Sequence, residues 1–156
     1  LHSLPTRRSS DLEVLFHEPE GTGTSLQSGL DFLMNVAKRK AVVFLISDFL
    51  DDGYWKSLKL ANKKHDMIGI RITDPAEENL PNLGLIKVHD PETGEQFWAD
   101  MSSESERKDF SNSIKEKWEN FENECGRSRF DVINVGTDKD YVEPLMTYFR
   151  RREKRY

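Results

Sequence analysis

Three short strings set a hydroxyl or a glycine beside a carboxylate: Ser47-Asp48, Thr73-Asp74 and Gly136-Thr137-Asp138. Each follows an apolar run, AVVFLI at 41–46, MIGIRI at 67–72 and FDVINV at 130–135. Thr24, in a loop ahead of a helix-patterned segment, is a further hydroxyl that can approach the same rim. Hydroxyl and carboxylate oxygens are hard donors, suited to Mg²⁺, which prefers near-octahedral oxygen and keeps several waters. Asp, Thr and Gly are also the ordinary residues of loops and caps, so residue types alone leave both readings open. A second chemistry uses the same carboxylates. Asp48, with Asp51 and Asp52 close by, has the character of a phosphoryl-accepting aspartate beside a metal. That reading, a Mg²⁺-dependent phosphotransfer enzyme with Asp48 as nucleophile, needs more acidic residues and a Lys at other strand ends. Gly21 to Ser25 lacks the Lys of a phosphate-binding loop.

Composition narrows the field. Of 156 residues, 36% are hydrophobic and 33% charged, which is polar for a globular chain but not the signature of disorder. With 23 Lys+Arg against 28 Asp+Glu the net charge is −5, which offers no general electrostatic reason to bind nucleic acid or an anionic membrane. No apolar run approaches the roughly 20 residues of a membrane span, so a soluble chain is expected. The single cysteine, Cys125, excludes an internal disulfide and argues against a cysteine-based zinc site. His2, His17, His65 and His89 have no metal-ligand spacing.

The elements that would position these oxygens are legible as an alternation. Leu26, Leu30, Leu33 and Ala37 recur at helical spacing, with Thr24 as a possible N-cap and Lys38-Arg39-Lys40 at the negative end of the helix dipole. The run 41–46 reads as a strand buried on both faces, as in a parallel sheet covered by helices. Trp55, Leu58 and Ala61 mark a second helix ending near Lys64, and 67–72 a second buried strand. Residues 83–89 and 96–100 flank the turn-rich Asp90-Pro91-Glu92-Thr93-Gly94-Glu95 and predict a β-hairpin. Ser102 or Ser103 opens a long helix carrying Phe110, Ile114, Trp118, Phe121 and Cys125, with Gly126 as its closing residue. A third strand over 130–135 precedes a last helix with Val142, Leu145 and Phe149, and with Pro144 in its first turn. Trp55, Trp98 and Trp118 are expected in the core or under loops, and the basic tail from Arg150 to Arg155 as a solvated helix end. The fold class is α/β, a mostly parallel Rossmann-type sheet flanked by helices with an inserted β-hairpin. In such sheets ligands bind at the carboxyl ends of the strands, where the three strings lie.

Residues 1–12, LHSLPTRRSSDL, have no helical or strand period and resemble a translated sequencing adapter, from which only Leu4 departs. Residues 1–12 are therefore read as a non-native extension, and residues 13–156 as the C-terminal portion of a domain truncated at its N-terminus.

Phe44 to Leu50 (FLISDFL), His65-Asp66, Thr73-Asp74-Pro75, Leu80-Pro81, the Asp90–Glu95 string and Asp140-Tyr141-Val142-Glu143-Pro144-Leu145 together resemble the von Willebrand factor A-like domain of the bacterial family called domain of unknown function 58. The resemblance covers about residues 13 to 153. It implies a metal-ion-dependent adhesion site at the sheet rim, in which an Asp-x-Ser-x-Ser motif, a Thr and an Asp hold Mg²⁺ and a partner's carboxylate fills an open position. It puts the Thr at Thr24 and the Asp at Asp48, and the Asp-x-Ser-x-Ser upstream of Glu13. The literal match Asp109, Ser111, Ser113 falls within the long helix. At about 100° per residue Ser111 there points away from the other two. By resemblance the chain is an interaction module rather than an enzyme, is cytoplasmic, and works with a MoxR-type AAA+ ATPase in complex assembly or maturation. The missing first strand would leave residues 41–46 with an unpaired edge, open to aggregation.

Overall fold

The computed structural model describes residues 24–78, 81–89 and 96–154. The extension read at 1–12 and the connection expected at 90–95 lie outside the described residues. In chain order the elements are α1 (Leu26–Val36), β1 (Val42–Ser47), α2 (Trp55–Lys64), β2 (Asp66–Thr73), a single turn α3 (Pro75–Glu78), β3 (Leu85–His89), β4 (Gln96–Asp100), α4 (Glu104–Ser128), β5 (Asp131–Gly136) and α5 (Val142–Glu153).

Among the described residues β1, β2 and β5 form a parallel sheet in that order, and β3 and β4 form a separate antiparallel ribbon. The register sets Ser47 opposite Arg71 and Arg71 opposite Asn134, so all three strands end at one rim. This is the expected α/β architecture, a small parallel sheet flanked by helices with a hairpin set into it. The short α3 has no periodic signal in the sequence; it follows Asp74, whose Oδ1 accepts the Ala76 amide at 2.8 Å.

Period-2 alternation divides the side chains of the sheet between two layers. On one face Met67 and Phe130 pack with Leu26 and Leu30 of α1, Leu58 and Ala61 of α2, and Trp118, Phe121 and Cys125 of α4. On the other, Ile68, Ile133 and Val135 meet Leu145 and Tyr148 of α5. Gly69 on β2 is where backbone and rings come closest: a Cβ there would lie 2.8 Å from Phe130 Cζ and 3.2 Å from Phe49 Cζ.

Several expectations need correction. β1 is not buried on both faces: Val42, Phe44 and Ile46 are 59%, 46% and 63% exposed. β1 pairs on one side only among the described residues, and α5 meets it edge-on where the ring of Phe149 lies against that of Phe44. The cap of α1 is Ser25, which accepts the Ser28 amide, rather than Thr24. Gly126 does not close α4, which runs on to Ser128 and ends at Arg129 in the left-handed region (φ 49°). The reason is Phe130: the left-handed turn drops it into the core, and its amide closes on the Cys125 carbonyl at 3.0 Å. Trp98 is exposed on the β3–β4 ribbon, whereas Trp118 is buried as expected. Arg152 is not simply a solvated tail residue, since it pairs with Asp66 at the start of β2 and donates to Tyr148. Among the described residues no helix is long and apolar enough to cross a membrane.

Candidate metal site at the sheet rim

The rim begins where β1 stops. Ser47 Oγ accepts the Phe49 amide at 3.0 Å, and Asp48 Oδ1 accepts the Leu50 amide at 3.2 Å, so the two polar side chains fold the backbone into consecutive local turns. Phe49 sits at φ 59°, a conformation that costs a non-glycine residue about 1 kcal/mol or more. Burial compensates: Phe49 is 4% exposed and its ring lies 5.0 Å from that of Phe121. Drawing Phe49 inward leaves Asp48 at the surface. Asp48 Oδ1 is engaged by Leu50 and Ser47, and Oδ2 takes no donor among the described residues.

The second candidate ligand, Thr24, lies just ahead of α1. Asp51 Oδ2 accepts the Leu26 amide at 2.8 Å, using one of the free N–H groups of the first helical turn. This bond fastens the loop after β1 to the beginning of α1. Thr24, exposed, stands two residues ahead of Leu26. The segments bearing Thr24 and Asp48 are thereby tied to each other. Sequence reasoning places both residues at the rim but gives Asp51 no part in joining them. Its only signal is a carboxylate in the loop after β1, since the Ser25 cap takes the Ser28 amide and leaves that of Leu26 free.

The loop is strongly acidic. The Tyr54 hydroxyl is held well above the usual tyrosine range, by burial first and then by negative charge at Cys125, Asp51, Asp52 and Asp48. The other rim strings behave differently. Thr137 Oγ1 donates to Asp74 Oδ2 at 3.0 Å, while the Thr137 amide bonds to the Thr73 carbonyl at 2.9 Å. Both strings thus lock β5 to β2. Asp109, Ser111 and Ser113 all lie within α4, as expected for a chance match.

The hydroxyl of Thr24 and the carboxylate of Asp48 have the donor chemistry Mg²⁺ takes, but two oxygens are well short of six. Among the described residues no group of three or more His, Cys, Asp or Glu side chains could hold a metal ion. What is present fits a fraction of a coordination shell.

Residues 8–120 match the family described as protein of unknown function DUF58. The chain belongs to this family. Proteins of similar sequence include several from mycobacteria. Uncharacterized protein MAV169 of Mycobacterium avium is 24% identical over 147 residues, which covers 87% of this chain and 80% of that protein. Uncharacterized protein Mb1516 of Mycobacterium bovis and Uncharacterized protein Rv1480 of Mycobacterium tuberculosis are each 23% identical over 147 residues, and there the chain spans only 43% of the relative. No solved structure matches this DUF58 chain.

Proposed function

We propose that the chain carries part of a Mg²⁺-dependent protein-interaction site of von Willebrand factor A-like type. Thr24 and Asp48 supply two of its ligands, and sequence upstream of Glu13 in the parent protein supplies the rest. The site binds rather than catalyses, and the whole protein works with a MoxR-type AAA+ ATPase in complex assembly or maturation.

The observation that carries this reading is the Leu26–Asp51 hydrogen bond at 2.8 Å. Two segments separated in sequence by all of β1 are joined at the rim, and each bears an exposed oxygen of the kind the site requires. Asp48 offers an outward carboxylate steadied by the Leu50 amide. Thr24 offers a neutral hydroxyl, which keeps the net charge of the shell low enough for a partner's carboxylate to join it. When bound, Mg²⁺ would accept that carboxylate directly.

The test is a Mg²⁺ titration of the full-length parent protein beside its Asp48→Ala and Thr24→Ala variants. We expect a weakening of tenfold or more for Asp48→Ala, a smaller loss for Thr24→Ala, and Mg²⁺-dependent capture of the ATPase by the unmodified parent alone. Equal Mg²⁺ binding by all three proteins would remove the proposed site. Acetyl-phosphate labelling of Asp48 in the same parent would instead favour phosphotransfer.

A further inference from the structure

Among the described residues Arg71 is the only permanently charged side chain that is buried, at 7% exposed. It sits on the central strand β2, between Ser47 and Asn134 in register. Its guanidinium carbon lies 4.1 Å from the centre of the Trp118 ring and 5.9 Å from that of Phe121. No carboxylate among the described residues is within ion-pair distance of it, and its buried Nε and Nη1 have no hydrogen-bond partner. Aromatic faces attract a cation, but they accept none of its N–H bonds and do not offset its lost hydration. Two of its three nitrogens thus lack an acceptor among the described residues.

It also lines a cavity. Arg71 forms one wall of a space of about 520 Å³ against α4, together with Asn112, Ile114, Lys115, Trp118, Glu119 and Glu122. That volume suits a small molecule. The lining selects its chemistry. Arg71 and Lys115 favour an anion, whereas Glu119 and Glu122 oppose a second negative charge on it. Trp118 and Ile114 supply apolar surface for a hydrophobic body. A planar guanidinium matches a carboxylate through two parallel N–H···O bonds.

We propose that this cavity is a binding site for a small-molecule monocarboxylate with an apolar or aromatic body, its carboxylate held by Arg71 and its body against Trp118. The site lies on the α4 face of the sheet and does not depend on Thr24, Asp48 or any metal. The rival occupant of Arg71 is internal: Glu122 turning inward. Burial raises the pKa of the Cys125 thiol, Glu122 raises it further and Arg71 lowers it, so both charges are felt there.

The test uses the 156-residue chain and follows the indole N–H resonance of Trp118 by NMR, assigned by its absence in Trp118→Phe. Benzoate is the probe, with benzamide and inorganic phosphate as controls. We expect a saturable shift with benzoate in the millimolar range, at least tenfold weaker binding in Arg71→Met, and no comparable response to benzamide or phosphate. The site is overturned if benzoate gives no saturable shift, if Arg71→Met binds it equally well, or if either control binds as tightly. Should Arg71→Met fail to fold, Glu122→Gln at an exposed position gives an independent reading. Removing the opposing carboxylate tightens benzoate severalfold if the ligand lies there. Unchanged or weaker affinity rejects the site.

Discussion

Arg152 and Asp66 show what a single pair contributes. The Arg152 guanidinium, with burial opposing it, holds the Asp66 carboxyl below the usual carboxylate range. A carboxyl depressed on folding adds stability that is full above its unfolded value, about 4, and is lost as pH falls through the lower folded value. The side chains are 19% and 31% exposed, so solvent screens the pair and its worth is modest. Arg152→Met is expected to destabilise the chain by about 1 kcal/mol near neutral pH. The deficit should narrow as pH falls below about 4 and through the lowered value of Asp66, and be least once Asp66 is protonated in both proteins. The bond that Arg152 donates to the Tyr148 hydroxyl does not depend on the charge of Asp66 and persists there, so the deficit narrows without vanishing. Urea denaturation across that range measures it, and a deficit independent of pH would mean that the ion pair contributes nothing. The pair itself is invisible in the sequence, where Asp66 opens a strand and Arg152 closes the last described helix. Asp48 is legible because it stands at an abrupt step from apolar to polar. Asp51 and Arg71 are not, because what gives them meaning is a remote partner, the Leu26 amide for one and the Trp118 ring for the other.

Elements are easier to read than contacts, since hydrophobic period and caps are local signals. The α2, β2 and β5 segments fall within a residue or two of expectation, and the last helix contains the expected Val142, Leu145 and Phe149. The misreadings occur where tertiary packing overrides a local cue, as at Gly126, passed over because burying Phe130 demands the turn three residues later. Gly69 is the converse. It looks like a weak point in the MIGIRI run, yet β2 needs it, because the rings of Phe130 and Phe49 occupy the space a side chain would take. Both rings are 4% exposed, so neither can swing out to water without opening the core. Gly69→Ala is therefore expected to cost about 1–3 kcal/mol through overpacking, despite the better backbone propensity of alanine. A double-mutant cycle with Phe130→Leu checks the cause. If the new methyl strikes Phe130, the two losses are strongly non-additive; simple additivity would place the strain elsewhere.

At the scale of the whole molecule, the two faces of the sheet are unequally covered. Among the described residues three helices pack the face bearing Met67 and Phe130, while α5 alone serves the other. The consequence falls on β1, whose outward residues Val42, Phe44 and Ile46 remain exposed beside an edge with no strand paired to it among the described residues. An apolar run with an open ladder is a template for another strand. In longer relatives such as Mb1516, more than half of the protein lies outside the matched region, so there is chain enough to cover this surface. For the 156-residue chain itself, the expectation is association that grows with concentration. Ile46 is the position to change. It is 63% exposed, and the ring contact α5 makes with β1 is at Phe44. Ile46→Lys should leave folding stability within about 0.5 kcal/mol, as a surface substitution does. It should also shift the sedimentation profile toward monomer at concentrations where the unmodified chain associates. Met67→Lys, which places the charge on the buried face of the neighbouring strand, should instead unfold the protein. If Ile46→Lys associates as strongly as the unmodified chain, the open edge of β1 is not the adhesive surface. The exposed Leu85, Phe97 and Trp98 of the β3–β4 ribbon would then be the next surface to charge.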